Sequence, residues 1–255
     1  DQKSDRPWPI GLLLAAALLT KGSIYIVVLL AVAAVLLRRQ REGRDWRWAA
    51  GQLAWLLVPA VALSAPWFVR NGLVYGWSDP TGQGTHDVVV EGQMRPLEYV
   101  AQHGWAGYWE RAVTFTFQSF WGQFGWMGVV LPAHIYRGLA LLCVLLLIGF
   151  GWWLFDRRRD RSTAHQRSSL GLLFISALLS GLMFAWYNTK FLQHQGRYLF
   201  PALIPIGTAA ALGVGQLSSL LHRKARPLTI GGLFAGLVLL DLYCLFRHVV
   251  PTLRR

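Results

Sequence analysis

Acidic residues are scarce in this chain, 12 aspartates and glutamates against 25 lysines and arginines in 255 residues, for a formal net charge of +13. Only two cysteines occur, Cys143 and Cys244, both inside apolar runs and without metal-ligand spacing. They read as small buried hydrophobes, and no metal site is expected from the sequence. A phosphate-binding glycine loop, a nucleophile elbow and an Asp-x-Asp or Asp-Glu pair are all missing. Those absences exclude P-loop nucleotide chemistry and serine-hydrolase chemistry. There is also no internal repeat and no low-complexity tract.

What the chain has instead is apolar surface. It is 54% hydrophobic and only 15% charged. Apolar runs fall at 10–37, 49–69, 135–155, 169–187, 199–221 and 228–246. Most approach or exceed the ~20 residues that carry a helix across a ~30 Å hydrocarbon core. The expected fold class is all-α: a polytopic transmembrane helix bundle, one transmembrane domain over 1–255. The opening DQKSDR runs straight into a span, which reads as a piece of a longer chain with an N-terminal half missing.

A charge of +13 in a soluble protein would suggest nucleic acid. Here the basic residues gather in short linkers: five arginines in Arg38–Arg47, five in Arg157–Arg167 and three cations in Arg223–Arg226. Such clustering fixes membrane orientation, so membrane lipids are the expected partners and nucleic acid is not. Two spans separate each consecutive pair of basic linkers, so all three fit the cytoplasmic side. Arg70–His134, Asn188–Tyr198 and the C-terminus then lie outside.

The first run would make a helix of about 42 Å, too long for one upright span. Thr20, Lys21, Gly22 and Ser23 interrupt it with a charge, a flexible glycine and a cap-forming serine. A re-entrant hairpin of two short helices fits, as does a single tilted span. The loop 70–134 is the one candidate extramembrane region. Within it Trp105, Trp109, Ala112, Val113, Phe117, Phe120, Trp121 and Phe124 recur at three- and four-residue spacing, with Glu110, Arg111, Thr114 and Gln118 opposite. That spacing predicts an amphipathic helix over about 105–126, in the outer interface or packed on the outer end of the bundle.

Chemistry is expected at the outer rim. Arg197 and Tyr198 precede a span distorted by Pro201 and Pro205, with Lys190, His194 and Gln195 close in sequence. An arginine fork there matches phosphate geometry, although arginine and tyrosine also serve as interfacial anchors. Arg70 and Asn71 close the second span on the same side, as anchor and helix stop or as a second phosphate contact. Lys21, in the break of the first run, either attracts a lipid phosphate or snorkels. Asp241, in the outer third of the last span, reads as a partner for an arginine. Sugar transfer needs a carboxylate base, sometimes with a divalent metal. The outer carboxylates are Asp79, Asp87, Glu91, Glu98 and Glu110; the base is not identified, and Asp79 and Asp87 are its candidates, Asp87 beside His86.

Four stretches carry a family resemblance: LLTKGSIY at Leu18–Tyr25, PWFVRNGLVYG at Pro66–Gly76 with DPTG at Asp79–Gly82, FWGQFGW at Phe120–Trp126, and QGRYLFPAL at Gln195–Leu203. In these the chain resembles the GT-C superfamily of membrane glycosyltransferases, which includes protein mannosyltransferases and lipid A aminoarabinose transferases. The combination also looks like the DUF2142 type of bacterial membrane protein grouped with them. The resemblance implies a bacterial inner-membrane protein that takes a polyprenyl-phosphate-linked sugar at an extracytoplasmic cavity and passes it to a cell-envelope acceptor. It implies a donor-phosphate role for Arg197 and Tyr198, and it assigns Lys21 to the short-helix break. The family's catalytic acids lie in a first outer loop that this chain lacks, so the chain would hold the donor-binding half. A non-enzymatic transporter or assembly subunit for envelope polymers is the alternative.

Overall fold

The computed structural model describes residues 6–20, 22–156 and 163–254. It is 81% helical. Ten α-helices occur among the described residues: α1 Trp8–Leu18, α2 Ile26–Glu42, α3 Trp46–Tyr75, α4 Gln83–Val89, α5 Pro96–Gly122, α6 Ala133–Phe155, α7 Ala164–Lys190, α8 Leu203–Ser218, α9 Ala225–Cys244 and α10 Val250–Leu253. The strands are two-residue pieces, β1 Gln123–Phe124 and β2 Val129–Val130, paired antiparallel. Five helical segments are long and apolar enough to cross a membrane: Trp46–Tyr75, Ala133–Phe155, Ala164–Lys190, Gly196–Ser218 and Ala225–Leu253. Large apolar side chains such as Phe174, Leu178 and Leu182 on α7 stand exposed one turn apart. Water would penalise that surface and lipid tails would not. The protein is an all-α, multi-pass membrane protein.

The chain folds as two compact units. The first takes the chain up to Glu98 and then α7 through Leu192; the second takes Tyr99 through α6 and everything from Gln193 onward.

In the first unit the opening apolar run is two helices, broken between Leu18 and Ile26. Pro7 and Pro9 start α1 where missing amide hydrogens cost nothing. Gly43, at φ 60°, ends α2 in the left-handed conformation, its amide bonded to the Arg39 carbonyl. Asp45 caps α3 by accepting from the Trp48 amide at 2.8 Å. Arg6 lies over Trp55, Tyr25 meets Phe68 edge-on, and Arg39 lies over Trp46. So α1 climbs along α3 and α2 descends beside it. Gly11 makes the contact close, since a Cβ there would strike the Leu56 carbonyl. Leu14, Val35, Ala49, Leu56 and Ala60 form the core between these helices.

The loop of this unit is tied to the end of α7. The Arg95 guanidinium donates to the carbonyls of Asp87 and Lys190 and lies 4.2 Å from the centre of the Phe191 ring. The Leu192 amide donates to the Met94 carbonyl at 2.9 Å. The long loop and the C-terminal end of α7 therefore share one side of the unit.

In the second unit α6 and α8 approach until backbones touch. A Cβ on Gly149 would overlap the Gly213 carbonyl, and one on Gly213 would overlap the Leu146 carbonyl. Such glycine-mediated contacts replace the hydrophobic drive that lipid cannot supply. Leu131, Ile135, Tyr136, Leu139 and Cys244 form the core, where the Tyr136 hydroxyl donates to the Gly122 carbonyl and accepts from the Leu131 amide. Gly104, at φ 69°, bends α5. The helix expected to reach residue 126 stops at Gly122, because Gly125, Trp126 and Met127 all take left-handed φ values and turn the chain into the β1–β2 hairpin. Proline likewise delays α8: Gly196–Ala202, containing Pro201, is a 3-10 segment.

Gly149→Val should lower stability by about 1–3 kcal/mol through overpacking. Gly151→Val, at a position with open space around it, should be tolerated. Thermal unfolding in detergent compares the two, and equal effects would refute close α6–α8 packing.

Candidate functional site

Arg197 stands where the linker after α7 crosses α5 in the second unit. Three contacts fix that crossing. His194 is buried, its ring edge-on to Tyr108 with centroids 4.8 Å apart. Gly196 lies flush on α5, where any Cβ would overlap the backbone of Thr116 and Phe120. The Gly196 amide donates to the Ser119 hydroxyl at 2.7 Å, and that hydroxyl donates onward to the Phe115 carbonyl. Beyond the pinned glycine Arg197 is exposed, its guanidinium 5.6 Å from the centre of the Tyr198 ring. It opens into a cavity of about 270 Å³ lined by Ser119, Gln123, Trp126, Gln195, Arg197 and Phe200 among others. Among the described residues no carboxylate pairs with Arg197.

His194 and Arg111 share the neighbouring surface of α5. The Arg111 guanidinium lies 4.0 Å from the centre of the Phe115 ring and 5.5 Å from that of Tyr99, and its buried Nε has no hydrogen-bond partner among the described residues. Neither ring nitrogen of His194 has a partner among them either. Burial, and then the charge of Arg111, push the His194 pKa down to about 4. The ring is therefore neutral at pH 7.

The remaining candidates behave differently. Arg70 donates to the Asn71 side-chain oxygen at 3.1 Å and lies between the rings of Trp67 and Tyr75; Asn71 is buried. Asp79 holds the N-terminal amides of α4, accepting from Thr85 at 2.7 Å and Gly84 at 3.1 Å. Those amides, Thr85 first, hold its carboxyl below the usual range. Asp87 sits 3.4 Å from His86. Asp241 is exposed on α9, with no arginine at ion-pair distance among the described residues. Lys21 falls outside the described residues. Also among the described residues, no group of three or more histidine, cysteine, aspartate or glutamate side chains is placed to hold a metal ion.

The cavity brings together Gln195 and Arg197, which the sequence marked, with Ser119, which it did not, and with Gln123 and Trp126, which lie in the FWGQFGW stretch but had no role assigned. Ser119 and Gln123 are four apart, a spacing that puts polar groups on one helical face. The hairpin had a signal too: Gly125 and Gly128 bracket Trp126 and Met127.

A family model described as a predicted membrane protein, DUF2142, matches residues 2–205. The chain belongs to the DUF2142 family. The match takes in Arg70 and the linker from His194 to Tyr198, and it stops before Asp241. The family description agrees with the five membrane-length helices of this DUF2142 protein. No curated protein and no solved structure matches the chain.

The buried His194 makes stability depend on pH with a definite sign. The unfolded chain takes up a proton near the ordinary value of 6.5, whereas the folded protein takes it up near 4. Protonation therefore favours unfolding as pH falls through that interval, by up to about 3 kcal/mol. Thermal unfolding in detergent at pH 7.5 and pH 4.5 should show a larger loss in the wild type than in His194→Phe. Equal losses would exclude His194 as the source.

Proposed function

We propose that this chain is part of a GT-C-type membrane glycosyltransferase. It binds a polyprenyl-phosphate-linked sugar at the outer face of a bacterial inner membrane, for transfer to a cell-envelope acceptor. The observation that carries this reading is Arg197: an exposed guanidinium, without a carboxylate partner among the described residues, lining a cavity of mixed polar and aromatic walls beside a membrane-length helix. A guanidinium fork offers two parallel N–H donors to a phosphate, and the charge-assisted bonds gain strength at the rim of a low-dielectric bilayer. Tyr198 stacks against the same guanidinium, while His194 and Gln195 hold the linker that carries it. In the first unit Arg70, walled by Trp67 and Tyr75, is proposed as a further phosphate contact. Lys21 keeps the same proposed role.

The second reading is a non-enzymatic transporter or assembly subunit that binds a lipid-linked phosphate without transferring the sugar. It is favoured by Asp79, whose carboxylate accepts from the amides of α4 and is thereby made a weaker base. Both readings need the same phosphate contact.

Arg197→Ala should weaken binding of undecaprenyl phosphate to the purified protein in nanodiscs roughly 10- to 100-fold, as expected for loss of charged hydrogen bonds. Arg197→Lys should fall between, since it keeps the charge and loses the fork. Unchanged affinity in the alanine variant would remove the proposed site.

A further inference from the structure

The wall of the Arg197 cavity contains two features that a phosphate alone does not explain. Trp126 is 96% exposed although it lines the cavity. It occupies a tight turn: the Gly128 amide bonds to the Gly125 carbonyl at 3.1 Å, and the two central residues, Trp126 and Met127, have φ of 53° and 68°. Left-handed φ at both central positions is the primed type I turn, which ordinarily takes Asn-Gly. Two large side chains there strain the backbone, which other contacts must offset. One such contact is Gly125 against Leu253 of α10, where a Cβ would come within 3.0 Å. The turn holds an indole out at the cavity mouth. The second feature is Gln123, whose side-chain carbonyl oxygen is buried without a hydrogen-bond partner among the described residues. An orphaned acceptor repels a phosphate oxygen and requires a donor such as a hydroxyl.

We infer that Trp126 and Gln123 form a sugar subsite beside Arg197, the indole face receiving the C–H face of the ring and the Gln123 side chain turning its buried oxygen out to accept from a hydroxyl. This rests on the reading of Arg197 as a lipid-phosphate contact and names what the phosphate carries. The π-face of an indole is electron-rich, and the axial C–H bonds of a sugar are its electron-poor surface. Gln195, whose amide donates to the Gln193 side-chain oxygen, also lines the cavity and brings a second amide oxygen as an acceptor. The lining thus divides by chemistry: a cation for phosphate, acceptors and an aromatic face for carbohydrate.

The test measures binding to the full chain in nanodiscs of undecaprenyl phosphate, bare or carrying glucose, mannose, galactose or arabinose. At least one sugar should add affinity over the bare lipid. Trp126→Ala should remove that gain, roughly five- to tenfold for an aromatic contact, and leave the bare lipid unaffected. Trp126→Phe should keep most of it. The exposure of Trp126 lets the variant fold, which circular dichroism checks. If no sugar adds affinity, or if Trp126→Ala weakens bare and sugar-bearing lipids alike, Trp126 is an interfacial anchor and the inference fails. Arg197→Ala separates the two claims: it should weaken every lipid, and if it weakens none, the phosphate reading falls whatever Trp126 does.

Discussion

The second unit depends on one close approach, Gly196 lying on the backbone of α5. Only a residue without a side chain permits it, and the Ser119 hydroxyl converts the proximity into a directed bond. Because the contact is between main chains, it fixes the linker in register as well as position. One residue earlier than Gly196 the side chain belongs to the cavity wall, two earlier it is buried against Tyr108, and one later it is the free guanidinium. A slip of one place would exchange these roles. Arg197 keeps its place on the cavity wall because its neighbour in sequence is pinned.

Burial of neutral His194 beside Arg111 strengthens that register at a cost. Two ring nitrogens and one guanidinium nitrogen go without hydrogen-bond partners among the described residues, in a place where each such omission is worth about 1–3 kcal/mol. The stacking of Arg111 between Tyr99 and Phe115 offsets part of this. Among the described residues the cation is held by aromatic faces and not by an acid, in keeping with a chain so poor in carboxylates.

The membrane class was legible because apolar runs of about bilayer length have few other uses. The break in the first run, which the structure has between Leu18 and Ile26, could be read at Gly22 because a helix interruption is local. What could not be read is what the loop residues touch. Asp79 looked like a candidate base because carboxylates are rare outside the spans, yet the amides it holds belong to a seven-residue helix that no periodicity announces. Gln123 looked like part of a helix, and only the turn at Gly125 makes it a cavity wall. Ser119 and Arg95 act through main-chain carbonyls and amides remote in sequence, a kind of partnership that composition never records.

Arg95 shows what such partnerships mean for a surface loop. Its acceptors, the carbonyls of Asp87 and Lys190, carry no proton and no net charge. Salt ions do not compete for them as they do for a carboxylate, and acid does not neutralise them. A clasp built from guanidinium and peptide oxygen is therefore less sensitive to brine and acid than an ordinary ion pair at the same place, because its acceptors have no charge to screen and no proton to gain.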